Sequence, residues 1–159
     1  MIALIAAIAV GSATVADPVT LHGIGDLRVG MPLSQLRQLG AVEDYPSDED
    51  VDCSYWTIPD RDGLSLMVSG HRLVRIDIRS DQYRTLSGAA IGMDPTQVRR
   101  IYGRRLKIEP HPYAAPEGHY FVYRAKREPY GMIFETPGSR VESFRVGLWD
   151  HVRLIEGCQ

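Results

Sequence analysis

Two stretches decide the predicted fold: Gly92-Met93-Asp94-Pro95-Thr96-Gln97-Val98-Arg99-Arg100-Ile101 and, 62 residues earlier, Gly30-Met31-Pro32-Leu33-Ser34-Gln35-Leu36-Arg37-Gln38-Leu39. Gly, Met, Gln and Arg recur at four identical positions, and three further positions hold similar side chains. Self-similarity at a fixed spacing is the sequence signature of an internal repeat. The chain therefore contains two related units.

A second pair of segments extends the repeat. Gly63–Ile78 matches Gly131–Val146 at an offset of 68, and just upstream Tyr55 falls on Tyr123. The larger offset places a six-residue insertion in the second unit, in the Pro-rich stretch from Glu109 to Pro116. We predict a signal peptide at 1–16, a first α-βββ repeat at 17–84, and a second at 85–159 with an extra C-terminal strand.

The helix signals are clearest in the second unit. Asp94 is a typical N-cap, Pro95 suits the first helical position, and Gln97 completes a capping box. Gly103 is expected to end this helix. The first helix is predicted from about Pro32 to Leu39.

The strands follow from alternation and from turn residues. Leu64, Leu66 and Val68 alternate, as do Val74, Ile76 and Ile78, and Met132, Phe134, Phe144, Val146 and Leu148 continue the pattern in the second unit. Turns are predicted at Arg61–Gly63, Ser69–Gly70, Tyr130–Gly131 and Pro137–Gly138, and a last strand at about His151–Glu156. The predicted class is α+β: a tandem helix-plus-antiparallel-meander repeat with short helices packed on one sheet face and the other, polar face open.

The open face supplies the candidate binding residues. A side-chain period of two that buries Ile76 and Ile78 turns the neighbouring charges outward. The residues predicted on this face are Arg75, Asp77, Arg124, Arg145, Arg153, Trp56, Tyr120 and His151. Arginine and aromatic side chains favour interface hot spots, and the alternative is a solvated face with weak cross-strand pairs. If this face binds a partner, removing Arg75 and Arg145 together is expected to leave folding nearly unchanged, since exposed charges usually change stability by no more than about 0.5 kcal/mol.

Two other clusters have competing interpretations. Asp48, Glu49, Asp50 and Asp52 form either a solvated turn or a charged finger for a partner's cationic cleft. His119 and His151, with Asp150, are either ordinary surface residues or metal ligands. Spacing alone specifies no metal, and no catalytic motif is present, so we predict no catalytic residue, no metal and no cofactor.

The cellular location of the protein is predicted from its N-terminal residues and its cysteines. An apolar run followed by Thr14-Val15-Ala16 is typical of a signal peptide cut after Ala16, the alternative being a buried N-terminal element. Cys53 and Cys158 are predicted to form a disulfide, although two buried thiols remain possible. A net charge of −2, from 18 basic and 20 acidic residues, does not favour nucleic-acid binding. We expect a periplasmic or secreted monomer with no transmembrane segment.

The glycine-methionine segments Gly30–Gly40 and Gly92–Gly103, each followed by a meander, resemble the SmpA/OmlA-like unit. That unit occurs singly in a lipoprotein of the outer-membrane β-barrel assembly machinery, and in tandem in the β-lactamase inhibitory proteins, where a concave sheet grips an enzyme. The resemblance implies a non-enzymatic protein-binding module, such as an inhibitor of a secreted or periplasmic hydrolase. The alternatives are an envelope or outer-membrane assembly accessory protein and a small enzyme without a recognisable motif.

Overall fold

The computed structural model describes residues 17–46 and 52–158. The predicted signal peptide at 1–16 and Asp48, Glu49 and Asp50 of the acidic loop lie outside them. The strands are β1 (Val19–Thr20), β2 (Gly23–Ile24), β3 (Leu27–Arg28), β4 (Val42–Glu43), β5 (Cys53–Thr57), β6 (Leu64–Ser69), β7 (Arg72–Ile78), β8 (Leu106–Pro110), β9 (His119–Arg124), β10 (Tyr130–Thr136) and β11 (Ser143–Leu148). The helices are α1 (Leu33–Gln38), α2 (Pro95–Tyr102) and α3 (Trp149–Val152), with a 3-10 turn at Gly103–Arg105.

The fold is a mostly-sheet α+β arrangement built on one large antiparallel sheet. Its eight strands run in the order β4-β5-β6-β7-β11-β10-β9-β8, and β1, β2 and β3 form a separate small sheet. Two meanders of four strands therefore meet along β7 and β11, where Phe144 pairs with Ile78 and Val146 pairs with Ile76. Each meander has one strand more than the three predicted.

Both predicted helices are confirmed. The side chain of Asp94 accepts a hydrogen bond from the Thr96 amide, and the Asp94 amide donates one to Gln97 Oε1, which is the predicted capping box. Gly103 ends α2 with a φ of 60°, a left-handed conformation that favours glycine. Leu36 of α1 and Val98 of α2 are buried in the same core as the sheet, so tertiary packing stabilises these short helices.

The segments that precede α1 and α2 are each held by the turn between the last two strands of the same meander. Arg72 donates to the Gly30 carbonyl at 2.8 Å, and Arg140 donates to the Gly92 carbonyl at the same distance. Backbone bonds accompany each contact, from Leu73 to Met31 and from Val141 to Met93, both 2.9 Å. The turns thus fix the approach of each helix to the sheet.

One face of the sheet forms the main core. A row of apolar and aromatic side chains crosses seven strands on this face: Trp56, Leu66, Ile76, Val146, Met132, Tyr123 and Leu106. The predicted place of Val74 on this face is wrong, because the pairing of β6 and β7 shifts between Met67 and Val68. Leu73 packs in the main core instead, since a bulge reverses the alternation locally. The turn predicted at Tyr130–Gly131 is also wrong, because both residues belong to β10.

The opposite face is covered, which contradicts the predicted open face. The short helix α3 lies on it, and Val152 packs there with Tyr120, Val122 and Ile133. The last strand predicted at His151–Glu156 is absent from the structure described for this segment, which contains the end of α3 and irregular chain. The predicted disulfide is confirmed: Cys53 of β5 bonds Cys158, with 5.4 Å between the Cα atoms. The C-terminal segment, residues 149–158, is thus fastened across the sheet.

Candidate functional site

Arg75 and Asp77 form a buried ion pair under the C-terminal segment. Only 4% of Arg75 and 8% of Asp77 is exposed, so their predicted outward exposure is wrong. The Arg75 Nη2 lies 2.6 Å from Asp77 Oδ1, and its Nε lies 2.9 Å from Oδ2. The remaining nitrogen, Nη1, donates to the carbonyls of His151 and Leu154 at 3.2 and 2.9 Å. Arg75 therefore connects the sheet to the end of α3.

Arg145 makes the equivalent connection from the neighbouring strand. It is 2% exposed, and its Nε donates to the Val152 carbonyl at 2.6 Å. It also forms an ion pair with Glu135 and lies over the ring of Tyr120 at 5.1 Å. Burial, and then the charge of Arg75, lower the pKa of Arg145. A cation beside the C-terminal carbonyls of a helix stabilises the helix. Arg75 and Arg145 therefore both stabilise α3 and its position on the sheet.

His111 borders this charge cluster. It is 8% exposed, and its Nδ1 accepts a hydrogen bond from the Tyr113 amide at 3.1 Å. Burial lowers the pKa of His111, and the charge of Arg145 lowers it further. Glu135 lies 4.0 Å from Nε2, beyond hydrogen-bond distance. The folded protein therefore favours the neutral imidazole.

The other predicted binding residues are dispersed. Trp56 is 5% exposed and lies in the main core, so its predicted place on the open face is wrong. Tyr120 is 6% exposed and lies beneath Arg145. His151 lies in α3, which explains why it joins no strand face. Only Arg124 and Arg153 are exposed, the first over the ring of Trp149 at 5.1 Å and the second 3.4 Å from Asp150. The predicted residues do not form one accessible surface.

A different surface carries a concentration of charge that the sequence reasoning missed. A depression of about 740 Å³ lies between the 3-10 turn, the end of β9 and the turn that follows it. We call it the basic groove, and its cationic lining is Arg104, Arg105, Arg124, Lys126 and Arg127. All five side chains are exposed, and none forms an ion pair within residues 17–46 and 52–158. The acidic lining residue, Glu128, is bonded to His22 at 3.0 Å.

The basic groove continues onto the outer side of α2. An adjoining depression of about 500 Å³ is lined by Arg99, Arg100 and Arg104, together with Leu106 and Ile108. Seven cations with no salt-bridge partner in the described chain therefore line one continuous surface, and Ile108 adds an apolar side chain that is 41% exposed. Like charges that line one surface give it a positive electrostatic potential.

The uneven distribution of charge between the units was the signal that could have found this surface. Residues 17–84 contain 12 acidic and 7 basic side chains, whereas residues 85–159 contain 8 acidic and 11 basic ones. The net charge of −2 conceals this difference. The clustering itself requires the fold, because β9 brings 124–127 beside the 3-10 turn at 103–105.

His119 is one of the two histidines predicted as either surface residues or metal ligands. The Nδ1 of His119 contacts the Glu117 carbonyl at 3.0 Å, and no group of three His, Cys, Asp or Glu suited to a metal occurs in the described residues. No helix described within residues 17–158 is long and apolar enough to cross a membrane.

Comparisons with known proteins identify no relative. No protein-family model, curated protein or solved structure matches this chain.

Proposed function

We propose that this protein is an exported, non-enzymatic protein-binding module that docks an acidic partner through its basic groove. The observation that carries the proposal is the set of seven exposed, unneutralised cations among the described residues around the groove. Complementary charge accelerates association and suppresses binding to the wrong partner. Arg99 and Arg100 lie on the capped helix α2 and Arg124 ends β9, while the other four cations lie in the 3-10 turn and in the turn that follows β9.

The architecture behind this proposal is a tandem repeat with its helices on one side of the sheet. The matching bonds from Arg72 to Gly30 and from Arg140 to Gly92 support a duplication, as does the meeting of two meanders along β7 and β11. In this proposal the cations of the groove all belong to the second unit, which is the more basic of the two. Duplication followed by divergence of charge would give one binding unit and one supporting unit.

Export is the second part of the proposal. The Cys53–Cys158 disulfide supports an oxidising compartment, the periplasm or the cell exterior. The apolar N-terminal run of residues 1–16 supports the same location.

The first partner class to test is a secreted or periplasmic hydrolase, which the protein would inhibit. The resemblance of Gly30–Gly40 and Gly92–Gly103 to the SmpA/OmlA-like unit supports this choice. An outer-membrane assembly complex is the second class. The two classes separate by assay, since an inhibitor lowers enzymatic activity at stoichiometric concentration and an assembly factor co-purifies with membrane proteins.

The test is affinity capture from the native envelope and secreted fractions with the purified protein. We expect a stoichiometric protein complex that weakens as salt rises from 50 to 200 mM, values on the scale over which exposed charges become screened. The variant Arg104→Glu/Arg127→Glu should lose at least about tenfold in affinity. The matched variant Arg37→Glu/Arg79→Glu makes the same charge change at exposed positions of the first unit, and should capture normally. Equal capture by both variants would remove the basic groove from the proposal.

A further inference from the structure

A small cavity opens beside the basic groove. Its volume is about 200 Å³, and its walls include Leu21, Leu86, Tyr102, Arg105, Tyr123 and Met132. Leu21, Arg105 and Tyr123 line both the cavity and the basic groove. The two spaces are therefore neighbours that share one wall.

The interior of the cavity suits an apolar group. The Tyr102 hydroxyl donates to Thr85 Oγ1 at 2.9 Å, and the same Oγ1 accepts the Ala89 amide at 2.9 Å. These polar groups satisfy one another and require no bond from a ligand. Leu86 lies at the wall with 72% of its surface exposed, so an apolar occupant would remove this side chain from water.

The rim of the cavity suits an anion. Arg105 is exposed, and its guanidinium lies over the ring of Tyr123, 5.8 Å from the centroid. An occupant whose apolar part enters the cavity therefore has its flanking groups beside Arg105 and the other cations of the groove. Carboxylates at those flanking positions would form charge-assisted hydrogen bonds with the guanidinium groups.

The size of the cavity selects the kind of occupant. Sites for drug-sized small molecules span roughly 300–1,000 Å³, whereas a cavity of about 150 Å³ holds a benzene ring. A space of about 200 Å³ thus accommodates one large side chain. Buried aromatic anchors in such pockets, next to charged contacts, are typical of interface hot spots.

We infer that the cavity receives an aromatic or large aliphatic side chain of the partner, from a segment in which acidic residues flank that side chain. This inference rests on the proposed function, because it specifies the chemistry of the segment that docks in the basic groove. The cavity supplies selectivity for the anchor, and the groove supplies most of the salt-dependent attraction.

The experiment uses the whole protein and three synthetic peptides in fluorescence anisotropy or calorimetry. The first peptide is acetyl-Asp-Glu-Phe-Asp-Glu-amide, the second has Ser in place of Phe, and the third has Asn and Gln in place of Asp and Glu. We expect the first to bind at least about tenfold more tightly than the second, because burying a phenyl ring contributes that much. The first peptide should bind more tightly than the third peptide only at low salt.

Variants of the exposed wall separate the cavity from the groove. Ser87→Trp fills the mouth, and Leu86→Asp places a negative charge there; both positions are exposed and lie at the cavity. Either variant should abolish the advantage of Phe over Ser while keeping salt-dependent binding, with an unchanged thermal melt. Equal binding of the Phe and Ser peptides to the wild type would overturn the inference. In that case, the proposed function would stand if capture of the native partner still depended on Arg104 and Arg127. If capture did not depend on them, the proposed function and this inference would both fail.

Discussion

The Arg75→Met variant should unfold at a much lower urea concentration than the wild type. Arg75 makes a bidentate contact with Asp77, and the two side chains are only 5% and 11% exposed. Removing one partner of a buried ion pair leaves an uncompensated charge and costs about 3–5 kcal/mol. The change also removes the donor to the carbonyls of His151 and Leu154. We therefore expect a loss of about 4 kcal/mol in the free energy of unfolding.

Urea denaturation followed by circular dichroism measures this loss. With a slope of about 2 kcal/mol per molar urea, the midpoint should fall by about 2 M. The matched control is Arg153→Met, whose side chain is 58% exposed beside Asp150; it should change stability by less than about 0.5 kcal/mol. The double variant Arg75→Met/Asp77→Leu should be more stable than Arg75→Met, because it removes the stranded carboxylate. Equal midpoints for Arg75→Met and Arg153→Met would refute the buried charge cluster.

The contribution of His111 to stability should be fully present above about pH 7 and be lost as the pH drops below about 6.5, because the unfolded chain protonates His111 before the folded protein does. His111→Asn, which keeps an acceptor, should flatten the curve in this pH range, and an unaltered curve would exclude this group. The Cys53→Ser/Cys158→Ser variant should lose roughly 4–5 kcal/mol by loss of a 105-residue cross-link, and a melt identical to that of the oxidised wild type would contradict this. Gly147→Ala should destabilise the protein by at least about 1 kcal/mol, because its φ is 143° and a Cβ there would overlap the Val74 carbonyl. The control Gly138→Ala, which has open space around it, should leave the melting temperature unchanged. Similar melts for the two variants would count against a strained conformation at Gly147.

The elements that depend on local pattern could be predicted from the sequence. Asp94, Pro95 and Gly103 bounded α2 because capping is decided by neighbouring residues. The alternation of Leu64 and Leu66 identified β6 because the period of a strand is a local property. The disulfide was predictable because the sequence contains two cysteines.

What covers a sheet face could not be predicted in this way. The period of two predicts that Arg75, Asp77 and Arg145 face away from the main core, but alternation identifies a face without identifying what covers it. The cover is α3, only four residues long, whose conformation depends on the arginines and on Trp149 resting against Gly131, where a Cβ would lie 2.5 Å from the ring.

The misplacement of Trp56 has a different cause. The repeat aligned Tyr55 with Tyr123, but Trp56 pairs with Leu66 in β6 while Phe121 pairs with Phe134 in β10. Trp56 therefore corresponds to Phe121, whereas the repeat offset of 68 places it on Arg124, three residues away. Register between strands is set by turn lengths and by packing across the core, and neither can be read from the alternation of one strand.

The meeting of β7 and β11 determines the order in which the chain can finish folding. The first meander ends with β7 at Ile78, but β11, the strand that pairs with β7, begins only at Ser143. During synthesis, β7 therefore emerges as a bare hydrophobic edge, open to pairing with another chain. Cys53 likewise remains a thiol until Cys158 is made, and with two cysteines in the sequence only one intramolecular pairing exists. In the newborn chain, therefore, formation of β11 closes the open edge of β7, and oxidation can join Cys53 to Cys158 only after that strand has been made.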